Sequence, residues 1–299
     1  NMSTKSFLMK LLMAFVLCFQ IVTTNAQSLP ENFDDARNKE VFDKAYNDLK
    51  DKANLPAGEL MVEVALHFLD TEYVAGTLEN DEREIFNVFL YKTDCIIFVE
   101  MCTAFTLTLK GLAIEQGRDP QPATPSYELL CNNIRNMRYR DGIVTDYASR
   151  IHYTSEWLIQ NNENGIVSEY THRIGVLQNQ WFSFMTDHPD SYKPLKGNPE
   201  MVTKIRNMEK YLDSHAPYYL IPQNRLYNER FASEIKNGDI VCLQDTHDGL
   251  DIAHVAIAYE YNGEMHFIHA SSRGKKVMIE PKTLAQYAKN GVRMARLTF

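Results

Sequence analysis

The sequence has no C-x-x-C pair, so its five cysteines cannot close the usual knuckle of a structural zinc site. It also lacks the H-E-x-x-H helix pattern of the common zinc proteases. Positive charge is in deficit: 31 Lys and Arg stand against 39 Asp and Glu, a formal net charge of -8. With no polybasic run either, the chain offers no basic face for nucleic acid and no cluster for anionic lipid. There are no internal repeats and no low-complexity tracts, which excludes solenoids and disordered tails. What remains is ordinary globular material, 44% hydrophobic and 23% charged over 299 residues. That is enough for one large or two small domains with a real core.

The N-terminus reads as a secretory signal. Lys5 and Lys10 precede an apolar run from Leu11 to Val22, and Thr24-Asn25-Ala26 places small residues at a cleavage position. The run is too short for a convincing membrane span, so no integral membrane segment is expected after cleavage. Anchoring as a lipoprotein through Cys18 is the lesser alternative, because Leu17 before it is bulky. Cleavage after Ala26 takes the charge from -8 to -10. The expected location is periplasmic or secreted.

The pattern predicts three segments: the signal at 1–26, a mainly helical part at 27–225, and an antiparallel β part at 226–299. Helical spacing runs over 38–53 and Leu60–Leu69. Asp94 is suited to cap a helix whose apolar stretch, Ile96–Leu109, stops at Gly111. Further helices are expected at 126–137, 153–161 and 199–213, the last with Asn198 as cap and Pro199 at its first position. After Pro222, the runs 239–244, 252–259, 265–270 and 276–279 read as short strands between turns. The fold class is therefore α+β, with a small antiparallel sheet or barrel.

Four cysteines remain beyond the signal. Cys95 and Cys102 are about 10 Å apart along one helix axis, too far to bridge; with Cys95 as a free nucleophile three remain, and at most one pair can form. Cys95 opens the apolar run of YKTDCIIFVEMC (91–102), where the positive end of the helix dipole and unpaired N–H groups favour thiolate. Downstream, Asn262-Gly263 is a strong two-residue hairpin signal. Pairing around it sets His254 opposite Ser271 and His269 opposite Ala256, so the two imidazoles become diagonal neighbours on one face. Ala256 and Ala258 share that face and are small enough to leave room for a substrate. His266 points the other way. Such a set could run nucleophilic catalysis: Cys95 attacks, His254 moves the proton, and His269 orients His254. None of these roles needs a metal or other cofactor.

The residues that carry this chemistry also carry a resemblance. TDCIIFVE (93–100), YASRIHYTSEWL (147–158), KNGDIVCL (236–243), GLDIAHVAIAY (249–259) and FIHASS (267–272) resemble the NlpC-type papain-like cysteine peptidases of bacterial cell walls. Within them the chain is most similar to the N-acetylmuramoyl-L-alanine amidase-like family, some members of which once carried a xylanase label. The resemblance spans about residue 35 to 299. It implies Cys95 as nucleophile, His254 as base, His269 as third member, and peptidoglycan or muropeptide as the partner substrate. The common motif continues from D-C with Ser-Gly, whereas Ile96 and Ile97 stand there in this chain.

Around this set, Asp94, Arg150, His152, Tyr153, Trp157, Asp251 and Ser271 are candidates for holding substrate. Arg150 could meet a carboxylate. Each has a plain structural alternative: helix cap for Asp94, brace for Asp251, core for Trp157. Other functions weighed were a zinc hydrolase using the crowded Asp and His residues of 245–269, a glycosidase using Glu100 and Glu156, and a wall-binding protein without turnover. Oligomeric state and the bond cut are not legible.

Overall fold

A helix with no polar stripe sits at the centre of the molecule. In the computed structural model, which describes residues 29–79, 83–215 and 217–299, helix Cys95–Leu109 buries every residue from Ile97 onward. A helix apolar all round must be covered on all sides. Two of its hydroxyls bond back within the helix, with Thr103 donating to Val99 O and Thr106 to Cys102 O, each at 2.8 Å. The N-terminal stretch read as a signal, with Cys18, lies outside the described residues.

Among the described residues the helices of ten residues or more are α1 (Ala36–Leu49), α2 (Ala57–His67), α3 (Cys95–Leu109), α4 (Tyr127–Arg138), α5 (Thr154–Glu163) and α6 (Pro199–Asp213). Caps set their starts. Asp94, Ser126 and Asn198 accept backbone N–H groups at the heads of α3, α4 and α6, and Pro199 takes the first position of α6. Gly111, at φ +65°, follows the end of α3.

The strands in chain order begin with β1 (Glu72–Tyr73), β2 (Lys92–Thr93), β3 (Leu112–Glu115), β4 (Arg118–Pro122), β5 (Val167–Glu169) and β6 (Val176–Gln178). They continue with β7 (Tyr218–Leu220), β8 (Ile240–Gln244), β9 (Ile252–Tyr261), β10 (Glu264–Ser271), β11 (Lys276–Ile279) and β12 (Val292–Leu297). Eight form one sheet in the order β2-β1-β11-β10-β9-β8-β12-β5, antiparallel except for β1 with β2. The barrel alternative is overturned: the sheet is open, because its outer strands β2 and β5 are short and do not pair with each other. It also draws β1, β2 and β5 from the helical part of the chain. Hairpins β3–β4 and β6–β7 stand apart from it.

One face of the sheet, with Val255, Ile257, Ile268 and Ala270, packs on α3 and its neighbours. The opposite face, with Ala256, Ala258 and Phe267, is covered by the short helix Leu284–Tyr287 and by Tyr170 and Ile174. A third cluster joins Tyr153 and Phe182 to Ile205 and Leu212 of α6. At one point the helical and sheet parts meet backbone to backbone. A Cβ on Gly58 of α2 would fall 2.5 Å from Asn237 O, and one on Gly238 (φ +79°) would strike Gly58 itself.

Candidate active site

Cys95 occupies the first position of α3, directly after its cap. The Asp94 carboxylate accepts the Ile97 N–H at 3.0 Å, which fixes the helix start and presents the thiol at its mouth. Opposite it, β9 carries an irregularity that the sequence did not reveal. Leu243 pairs with His254 but Gln244 with Ile252, leaving Ala253 as an extra residue. Such bulges re-aim the next side chain, and His254 follows it.

The hairpin register is the one Asn262-Gly263 predicts. Tyr261 pairs with Glu264 and Ile257 with Ile268, both turn residues have positive φ, and the ladder stops there while the strands continue. His254 Nε2 and His269 Nδ1 lie 2.8 Å apart, with the rings edge to face. Because Nε2 is engaged, Nδ1 is the remaining nitrogen of His254.

Cys95 and His254 line one cavity of about 210 Å³, together with Ile96, Arg150, Ile151, His152, Tyr153, Thr154, Trp157, Ile252, Ala253 and Val255. His254 is hydrogen-bonded to His269 rather than to the thiol. Contacts of this kind are commonly loose before substrate arrives. A larger hollow of about 710 Å³ beside α4, lined by Asn132, Asn133 and Asn136, contains no cysteine or histidine.

The electrostatics differ from the thiolate expected at a helix N-terminus. Burial pushes the Cys95 thiol up to about 11, the Asp94 carboxylate adds to this, and the backbone N–H groups of Val255, Ile96 and Cys95 oppose it only in part. Burial pushes His254 down to about 4. His269 falls to about 3, through burial and then the neighbouring His254. At neutral pH the set is therefore a thiol and two uncharged imidazoles. Alkylation of Cys95 by iodoacetamide is accordingly expected to be slow near neutrality and to rise about tenfold per pH unit toward about 11. A plateau below pH ~8 would show a thiolate already present at rest.

The other candidates divide clearly. Arg150 lines the cavity, but its guanidinium is held by Glu84 and Glu79, each at 2.9 Å. Its charge is thus already balanced, which weakens the idea that it meets a substrate carboxylate. His152 lines the cavity and bonds through Nε2 to Tyr147 O at 2.8 Å; burial drives its pKa well down. The Tyr153 hydroxyl is spent on Glu209 at 2.8 Å, leaving the ring as wall, and Trp157 is core that reaches the cavity. Asp251 is a brace: it accepts Ser155 N–H at the head of α5 at 2.7 Å and Ile252 N–H at 2.8 Å. Ser271 caps the turn after β10 through Gly274 N–H at 3.0 Å. Neither lines the cavity.

One further expectation changes, and two readings left open by the sequence are filled in. Ala256 and Ala258 are fully buried under the Leu284–Tyr287 helix and leave no substrate space. Cys95, Cys102, Cys131 and Cys242 are all free thiols, so no disulfide pair forms among them. Glu100 and Glu156, the carboxylates considered for a glycosidase, are each buried against an arginine, Arg138 and Arg140. Among the described residues no three His, Cys, Asp or Glu side chains converge in a metal-holding group, and no helix is long and apolar enough to cross a membrane.

Fold and relatives define an α+β protein of the amidase-like hydrolase class. A crystal structure of an N-acetylmuramoyl-L-alanine amidase from Bacteroides uniformis superposes with a TM-score of 0.73 at 31% identity, covering 81% of this chain and 99% of that one. A Bacteroides fragilis protein described as a "putative xylanase" gives 0.68 at 34% identity, over 78% of this chain and 98% of that one. A Legionella pneumophila protein at 18% identity, with a TM-score of 0.62 over 87% of this chain and 96% of its own, shares the fold. No curated protein matches the sequence. The model of the AmiA-like family, N-acetylmuramoyl-L-alanine amidase-like, matches residues 63–294. The chain belongs to that family.

Proposed function

We propose that the protein is an exported cysteine amidase or peptidase that hydrolyses an amide bond in peptidoglycan stem peptides, on a papain-like core of the NlpC type. The observation that carries this reading is the shared cavity: Cys95 at a helix mouth and His254, tied at 2.8 Å to His269. Family membership supports the substrate class, and the N-terminal stretch read as a signal supports export.

His254 Nδ1 takes the thiol proton as Cys95 Sγ attacks the amide carbonyl, and the oxyanion meets backbone N–H groups of the first turn of α3. His254 then protonates the leaving amine nitrogen. The C–N bond breaks and a thioester remains. Water, deprotonated by the same imidazole, releases the acid and restores the thiol. A neutral imidazole at rest suits this sequence, since it begins with a vacant acceptor.

The bond cut is either the one between muramic acid and L-Ala or the one between D-Glu and the diamino acid. Mass spectrometry of purified muropeptides after incubation with the protein decides between them: the products are expected to gain one water at one of these two amides. New reducing ends would replace this reading with glycan hydrolysis, and unchanged muropeptides would remove the substrate class.

A further inference from the structure

Building on the reading of Cys95, His254 and His269 as the reacting set, we infer that Glu280 is its positioning residue: the carboxylate beside His269 Nε2 sets the proton order of both imidazoles, so that His254 offers a bare Nδ1 to the thiol. The observation is an unsatisfied atom. His269 is buried and its Nδ1 is engaged by His254, yet its Nε2 makes no hydrogen bond. Glu280 Oε2 lies 3.4 Å away. A buried ring N–H without an acceptor is costly, and a shift of a few tenths of an ångström closes this bond.

Glu280 is anchored for that purpose. Its backbone N–H donates to Phe267 O at 2.9 Å, and its carbonyl accepts from His266 Nδ1 at 3.0 Å. Its Oε1 accepts the Lys282 N–H at 3.3 Å, leaving Oε2 for His269. His266, on the opposite face and outside the reacting set, thereby gains a role in holding the backbone that carries this carboxylate. Tyr287, from the short helix above, packs ring against ring on His269.

The proton order follows from the far end. A carboxylate only accepts, so His269 carries its proton on Nε2 and presents Nδ1 as a lone pair. His254 must then donate through Nε2, which leaves Nδ1 unprotonated. When His254 takes the thiol proton, its positive charge is two hydrogen bonds from a fixed negative one. No atom enters or leaves the relay.

Glu280→Gln tests this, because an amide can donate to Nε2 and impose the reverse order. Its kcat on the muropeptide substrate is expected to fall about 10²-fold with KM little changed. The ¹⁵N shifts of His269 provide a readout that needs no turnover. The Nε2–H tautomer is expected with Glu280 present and the Nδ1–H tautomer in Glu280→Gln, both measured in a Cys95→Ala background. Turnover of Glu280→Gln within about twofold of the parent, or His269 protonated on Nδ1 in the parent, overturns the inference. Should Glu280→Gln fail to fold, the parent tautomer alone decides. Turnover that survives Cys95→Ala would instead remove the underlying reading, a result independent of the tautomer.

Discussion

Replacing Cys95 with Ala is expected to lower amide turnover by about 10⁴-fold or more, as loss of an attacking group does where one nucleophile carries the chemistry. The protein should stay folded, because the change removes one sulfur at the mouth of a cavity that is already open. Substrate should still bind, since the walls formed by Ile96, Tyr153, Trp157 and His254 are untouched. Cys102→Ala is the matched control. That thiol lies on the same helix but is fully buried, and burial pushes it far above the ordinary thiol range. Steady-state kinetics on a stem-peptide substrate would settle the point. A loss below about tenfold in Cys95→Ala, or an equal loss in Cys102→Ala, would move the chemistry away from the thiol.

The second large effect concerns stability. Arg138→Ala is expected to destabilise the fold by about 3–5 kcal/mol, because it leaves the buried Glu100 carboxyl without its ion partner. Both side chains are almost completely buried, and Arg138 Nε meets Glu100 Oε2 at 2.8 Å. The same guanidinium also binds Asn87 O at 2.8 Å, so it joins α3, the end of α4 and the extended segment before β2. Burial already biases Glu100 toward its protonated form, and Arg138 is the main group opposing that bias. A fall in Tm on the order of 10 °C is expected by thermal melting. The double change Glu100→Met with Arg138→Leu should recover part of it, because an apolar pair of similar size leaves no buried charge. A drop below about 2 °C for Arg138→Ala would show that water reaches the pair.

How much of this was legible in the sequence depends on how local each signal was. The start of α3 at Asp94–Cys95, the Asn262-Gly263 hairpin and the capped α6 are written in adjacent residues, and the structure has them at or within a residue of the expected places. β5 and β12 went unread because each gains its partner across the sheet rather than from its own pattern. The bulge at Ala253 was equally silent, since it exists only through the register with β8. So was Glu280, which reaches His269 because β11 pairs with β10. Arg150 looked like a ligand-binding group until folding supplied Glu84 and Glu79 from a distant segment. Charge partners set by tertiary contact leave no trace at i+3 or i+4.

The contact of Gly58 with Gly238 has a consequence for the chemistry. Cys95 belongs to the helical part and His254 to the sheet, so their separation is set by how far apart those two parts are held. At Gly58 and Gly238 that spacing is one peptide chain against another, with no side chain as a cushion. The pair acts as a mechanical stop: it fixes the closest approach of the two parts to the thickness of bare backbone, and a single methyl group there would act as a shim, prising the nucleophile's helix away from the strand that holds its base.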